Sequence, residues 1–126
     1  MKKMILFFSA FMFYGTVYSA KLNIEQKIFE TWNMQIQGAT DQYSLEKVRN
    51  NFEMSSITSE NVSDVIYNEI ARLIDIRLIR ITFDFLSSFE EIAIVGNQML
   101  DDRNFVQYSN FIRFYANRTR ERLNKA

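Results

Sequence analysis

Apolar positions along this chain recur mostly three and four residues apart, the spacing that places them on one face of a helix. Asn23 can cap a first helix, with Gln26 at the third helical position to reach back to it. Ile24, Ile28, Phe29, Trp32 and Ile36 then share one face, and Gly38 is its expected stop. Asp41 and Ser44 are alternative caps for a second, shorter helix carrying Leu45, Val48 and Phe52. Ser55 to Ser59 reads as a linker.

From Thr58 or Ser59 a longer apolar series begins: Val62, Ile66, Ile70, Ile74, Leu78, Ile81 and Phe85. It predicts a central helix. Residues 74–85 also alternate like strands and are rich in β-branched and aromatic side chains. A hairpin there would have to turn at Leu78-Ile79, which has no residue suited to the positive backbone angles of tight turns, and no third strand is visible to complete a sheet. The helix is therefore preferred. Ser87 and Ser88, each with a glutamate three residues on, predict a fourth helix running to Leu100. Gly96 within it suggests close approach of a neighbour, because glycine otherwise costs about 1 kcal/mol relative to alanine. Asp101 or Asp102 is the expected cap of a last helix with Phe105, Tyr108, Phe111, Ile112 and Tyr115 on one stripe. Arg118, Arg120 and Arg122 would lie near the negative end of its dipole. No internal repeat, heptad pattern or low-complexity tract stands out.

Residues 1–19 have a different character. Lys2 and Lys3 precede an apolar run from Met4 to Tyr14, and Val17-Tyr18-Ser19-Ala20 ends in small residues. This is the pattern of a cleavable secretory signal peptide, with the cut expected between Ser19 and Ala20. This eleven-residue run, apolar but for Ser9, falls short of the roughly 18 residues that cross a bilayer, although an uncleaved anchor is the alternative. Residues 20–126 then form a single α-helical domain. Without Lys2 and Lys3, 13 basic residues stand against 15 acidic ones, a net charge of −2. Such a balance gives no global attraction for nucleic acid or an anionic membrane. With no cysteine in the chain, no disulfide can stabilise an exported domain, so apolar packing must. Proline is absent and glycine occurs three times, which removes most turn signals of a β-rich fold.

Candidate chemistry is limited. A chain without histidine and cysteine builds no Ser-His-Asp triad, thiol nucleophile or ordinary zinc site, and no phosphate loop or dinucleotide fingerprint is present. No cofactor is expected. Carboxylates remain, and Glu69, Asp75 and Asp84 interrupt the most apolar stretch, where a pair could cleave a glycosidic bond. Arg72, Arg77 and Arg80 stand at spacings that make ion pairs the simpler reading. Asn61 and Asn117 each open a glycosylation pattern, of consequence only in a eukaryotic secretory route, whereas the Lys-Lys-led signal leans bacterial. From Arg103 onward six basic residues face one acid, Glu121, among aromatic side chains. Arginines at a helix end account for this without a nucleic-acid partner.

On a helical wheel the central helix carries two apolar stripes. Ile74, Leu78, Ile81, Phe85 and Phe89 make one, and Ile76, Ile79, Phe83 and Leu86 make another, separated from it by polar residues. Two stripes need two neighbours. Either this helix is the hub of the bundle and both are covered from within, or the second stripe docks another copy or another protein. Ile76, Ile79, Phe83 and Leu86 are the candidate partner-binding residues, with Phe114, off the main stripe of the last helix, a lesser one. The sequence thus predicts an all-α bundle of four or five helices, exported to a bacterial periplasm or beyond, that binds a protein partner. Inhibitor, immunity protein and accessory subunit are the roles of that class, homo-oligomerisation is open to it, and a membrane enters only through an uncleaved signal segment.

Overall fold

The computed structural model describes residues 16–58 and 63–125, with side chains from 24 to 55 and from 63 to 125. Among these residues the structure is all-helical, with no strand. The α-helices are α1 (Thr16–Gly38), α2 (Gln42–Thr58), α3 (Asp64–Asp84), α4 (Phe89–Asp101) and α5 (Ser109–Lys125), with a 3-10 turn at Val106–Tyr108 ahead of α5.

The helix starts follow from local chemistry. Asp41 Oδ1 accepts the Ser44 amide at 2.7 Å and Ser44 Oγ accepts the Asp41 amide at 3.3 Å, so the two expected alternatives act together as one capping box. The Ser44 amide first, and then the Ser44 hydroxyl, hold the Asp41 carboxyl below its usual range. Ser88 Oγ accepts the Glu91 amide at 3.1 Å, and Ser87 and Ser88 hydroxyls both donate to Glu91 Oε1, which holds that carboxyl low as well. Residues 74–84 are helix, not hairpin.

Several expected boundaries move. The first helix spans Thr16–Gly38, so Asn23 lies inside it and not at its start. No proline interrupts the stretch before Asn23, and propagation costs less than a fresh start. Residues 1–15, most of the segment read as a signal peptide, lie outside the described residues. The expected cut at Ser19-Ala20 falls in the opening turns of α1. The second helix runs on to Thr58 through the expected linker, because serine lowers helix propensity only modestly. The central helix starts at Asp64 under the cap of Ser63, whose Oγ accepts the Ile66 amide at 3.4 Å and donates to Glu25 at 3.3 Å. Glu25 is buried on α1, and its charge faces the positive end of α3. Asn61 and Val62 lie outside the described residues. Asp102 ends α4 and accepts the Asn104 amide in a tight turn, so α5 starts later than expected.

The two stripes of α3 meet two separate cores. Ile66, Ile70, Ile74 and Ile81 join Phe29, Ile36, Leu45 and Phe52 of α1 and α2. Ile79 and Phe83 join Ile92 of α4 and Tyr108, Ile112 and Ala116 near and on α5. Phe85 leaves its predicted stripe because the helix ends there, and it is 68% exposed.

Contacts along α3 fix the directions of α1, α2 and α5. Glu25 of α1 lies by Ser63 and Gln37 by Arg77, so α1 is parallel to α3. Gln42 reaches Thr82 and Arg49 reaches Asp75, so α2 is antiparallel. Tyr108 meets Asp75 and Thr119 meets Phe83, so α5 is parallel. The molecule is two up-down-up units, α1-α2-α3 and α3-α4-α5, that share the central helix. A common clamp marks both. Arg77 of α3 donates to the carbonyls of Gln37 and Ala39 at the end of α1, at 2.9–3.1 Å. Arg122 of α5 donates to those of Asp84 and Leu86 at the end of α3, at 2.9 Å. In each unit an arginine of the third helix thus ties off the first, and a capping box opens the second. Acceptors and caps are displaced by the same number of residues between units, a structural repeat the side-chain sequence hides.

Candidate functional site

Two second helices on a shared third make a cleft. α2 supplies Gln42 and Glu46 to one wall; Val95, Gln98 and Met99 of α4, with Asp102 and Phe105 after it, form the other; Leu78 and Thr82 of α3 lie between. Its volume is about 450 Å³. Gln42 Nε2 donates across the cleft to Thr82 Oγ1 at 3.3 Å, and Thr82 Oγ1 donates to the Leu78 carbonyl at 2.7 Å. Apolar groups dominate the floor, and the ionised side chains at the rim are both acidic. Glu46 makes a long contact of 3.7 Å to Arg49, and Asp102 makes no ion pair among the described residues.

A second groove, about 480 Å³, lies between α3 and the start of α5, lined by Asn68, Ala71, Arg72, Asp75, Gln107, Tyr108 and Phe111. Its charges are engaged with one another. Asp75 accepts from Arg49 of α2 and from the Tyr108 hydroxyl, both at 3.0 Å. Burial, then the bond to Asp75, pushes the Tyr108 hydroxyl up to about 12, too high to ionise near neutral pH. Arg72 pairs with Glu69 at 3.1 Å and lies 5.6 Å from the Phe111 ring. This network joins both units across α3. Sequence spacing had offered Asp75 the arginines of its own helix; its partners come instead from α2 and the 3-10 turn, which no local pattern could show.

Each carboxylate considered for glycan cleavage has an arginine partner, Glu69 in Arg72 and Asp75 in Arg49. Asp84 pairs with Arg80 at 3.7 Å. No group of three metal-ligating side chains occurs among the described residues. No described helix is long and apolar enough to cross a membrane.

Of the candidate partner-binding residues, Ile79 and Phe83 are fully buried in the second core, and Ile76 and Leu86 are half-buried against it. α4 and α5 cover that stripe, so Ile79 and Phe83 offer nothing to a partner in this conformation. Phe114 is 60% exposed on the outer side of α5. The cleft went unremarked in the sequence because its lining comes from four segments, where Leu78 and Phe105 read as core and Asp102 as a cap. No protein-family model, curated protein or solved structure matches the chain.

Proposed function

We propose that this chain is exported and acts by binding another protein in the cell envelope, with the α2–α4 cleft as its docking surface. The observation that supports this most is the cleft itself: an apolar floor with convergent polar groups, where two equivalent units meet. Stacked helical units commonly use such concave faces for binding. The charged run and small residues of positions 1–20 support export. Inhibitor, immunity protein and accessory subunit are the roles that this reading allows.

A photo-crosslinking side chain at Gln98 tests the surface, with one at Lys27, exposed on α1, as the control. The expected result is a protein adduct from envelope fractions at Gln98 and none at Lys27. No adduct at Gln98, or equal adducts at both, ends this reading. N-terminal sequencing of the exported protein should begin at Ala20; intact protein confined to the cytosol overturns export.

A further inference from the structure

Both charged residues that line the α2–α4 cleft are acids, Glu46 on one wall and Asp102 on the other. α4 and its cap, residues 89–102, contain Glu90, Glu91, Asp101 and Asp102 and no Lys or Arg. The helix brings its C-terminal part to the cleft through Gln98 and Met99, with Asp102 at its end. A helix C-terminus is the negative pole of the backbone dipole, and α4 has no basic residue in its last turn to offset it. On the facing wall Glu46 meets Arg49 at 3.7 Å, and Arg49 is held closer, at 3.0 Å, by Asp75. Lys47 is turned over the Tyr43 ring, 4.6 Å from its centre. Lys47, Arg49 and Arg103 are the cations nearest these acids in sequence, and none of the three lines the cleft.

Between the acids the floor presents Leu78, Val95, Met99 and Phe105, each half-buried and so partly open to the cleft. Gln98, exposed on the α4 wall, adds an amide that can donate to and accept from a main chain. An occupant therefore needs a large apolar side chain for the floor and positive charge to either side of it. We propose that the cleft takes a segment of the partner protein in which an aromatic or large aliphatic residue is flanked by Lys or Arg. The apolar side chain lies over Leu78, Val95 and Met99, and the cations face Glu46 and Asp102. This rests on the reading of the cleft as a docking surface. An acidic segment is turned away at the same rim, since like charges brought together cost binding. The rim charges are exposed, so salt weakens the attraction.

Panning a phage-displayed library of random dodecapeptides on the purified protein tests this. The selected peptides are expected to share a large apolar residue with Lys or Arg on both sides of it. In anisotropy titrations the strongest of them should bind roughly tenfold more weakly when Ala replaces the apolar residue or Glu replaces the cations, and more weakly in high salt. Glu46→Lys with Gln98→Lys reverses the rim while sparing Asp102, whose carboxylate holds the turn after α4. That variant should weaken the peptide by about tenfold, and Gln98→Glu, which adds an acid to the rim, should tighten it severalfold. Both positions are exposed, and circular dichroism checks folding; if the double variant does not fold, Gln98→Glu decides by whether it tightens the peptide. Selected peptides without an excess of Lys or Arg overturn the proposal, as does an affinity that neither rim change moves, or the selection of no peptide at all. If the selected peptides lack cations yet suppress the adduct at Gln98, the charge requirement falls and the cleft reading stands; if no peptide is selected and Gln98 forms no adduct, both fall.

Discussion

Gly96 is buried on α4, and a Cβ placed there would meet Phe83 Cζ at 3.9 Å, ordinary van der Waals contact. The position thus needs neither a special backbone angle nor missing volume, and the close approach expected from sequence is that of a ring edge with room to spare. Gly96→Ala should stabilise the protein by about 0.5–1 kcal/mol through helix propensity, read as a shifted urea midpoint. A loss of stability would show that Phe83 cannot yield. Asp75 illustrates the opposite case, a residue whose partners hold it in place. Asp75→Asn should leave Arg49 without its main counter-charge and lower the Tyr108 hydroxyl from about 12, since one of its causes is removed while burial remains. The sign follows from linkage: a hydroxyl harder to ionise when folded loses stability as pH rises from the unfolded value of 10.0 through about 12. Absorbance titration of tyrosinate should therefore show the last ionising tyrosine move to lower pH in this variant.

Helix ends carry much of the organisation at the scale of elements. Neither α1 nor α3 has a basic residue in its last turn, and both receive an arginine from a parallel helix instead. Hydrogen bonds from a charged donor to carbonyls contribute roughly 1.5–3 kcal/mol where water is excluded. Arg77→Met should cost about that much, because its bond to Ala39 is partly buried. Arg122→Met should cost less, about 1 kcal/mol, because its bonds are exposed. Thermal or urea unfolding checks the order. Equal costs would mean that the clamps do not act through their hydrogen bonds. The starts of α2 and α4 were legible beforehand, because a cap and its partner three residues on are local chemistry. The end of α1 at Gly38 was legible as well, but the arginines that tie off α1 and α3 were not, because they arrive from 36 to 40 residues away.

At the scale of the molecule, two cores hang on one helix among the described residues, and polar links across it are few there. Arg49, Asp75 and Tyr108 are the network that reaches from α2 through α3 to the base of α5. Breaking it at Asp75 should let the units open independently. Hydrogen exchange is then expected to separate into two classes in Asp75→Asn, α1–α2 amides and α4–α5 amides, with α3 protected longest. A single cooperative class would show that α3 alone couples the cores. The same architecture explains what became of the second apolar stripe. Its surplus of large side chains was visible in the sequence, and of the two readings it allowed, α4 and α5 satisfy the one in which the bundle covers the stripe itself.

What the sequence determined by itself is the local part: helices from the three-and-four spacing, the starts of α2 and α4 from their aspartate and serine caps, the exclusion of imidazole and thiol chemistry, and a central helix needing two neighbours. Each depends on residues within about one or two turns, where chain geometry fixes who meets whom. Tertiary structure alone decided which neighbour covers which stripe, which arginine clamps which helix end, and that Gln42, Leu78, Met99 and Asp102 share a cleft. Those meetings depend on the relative placement of helices far apart in the chain, and the spacing of residues within any one helix carries no information about it.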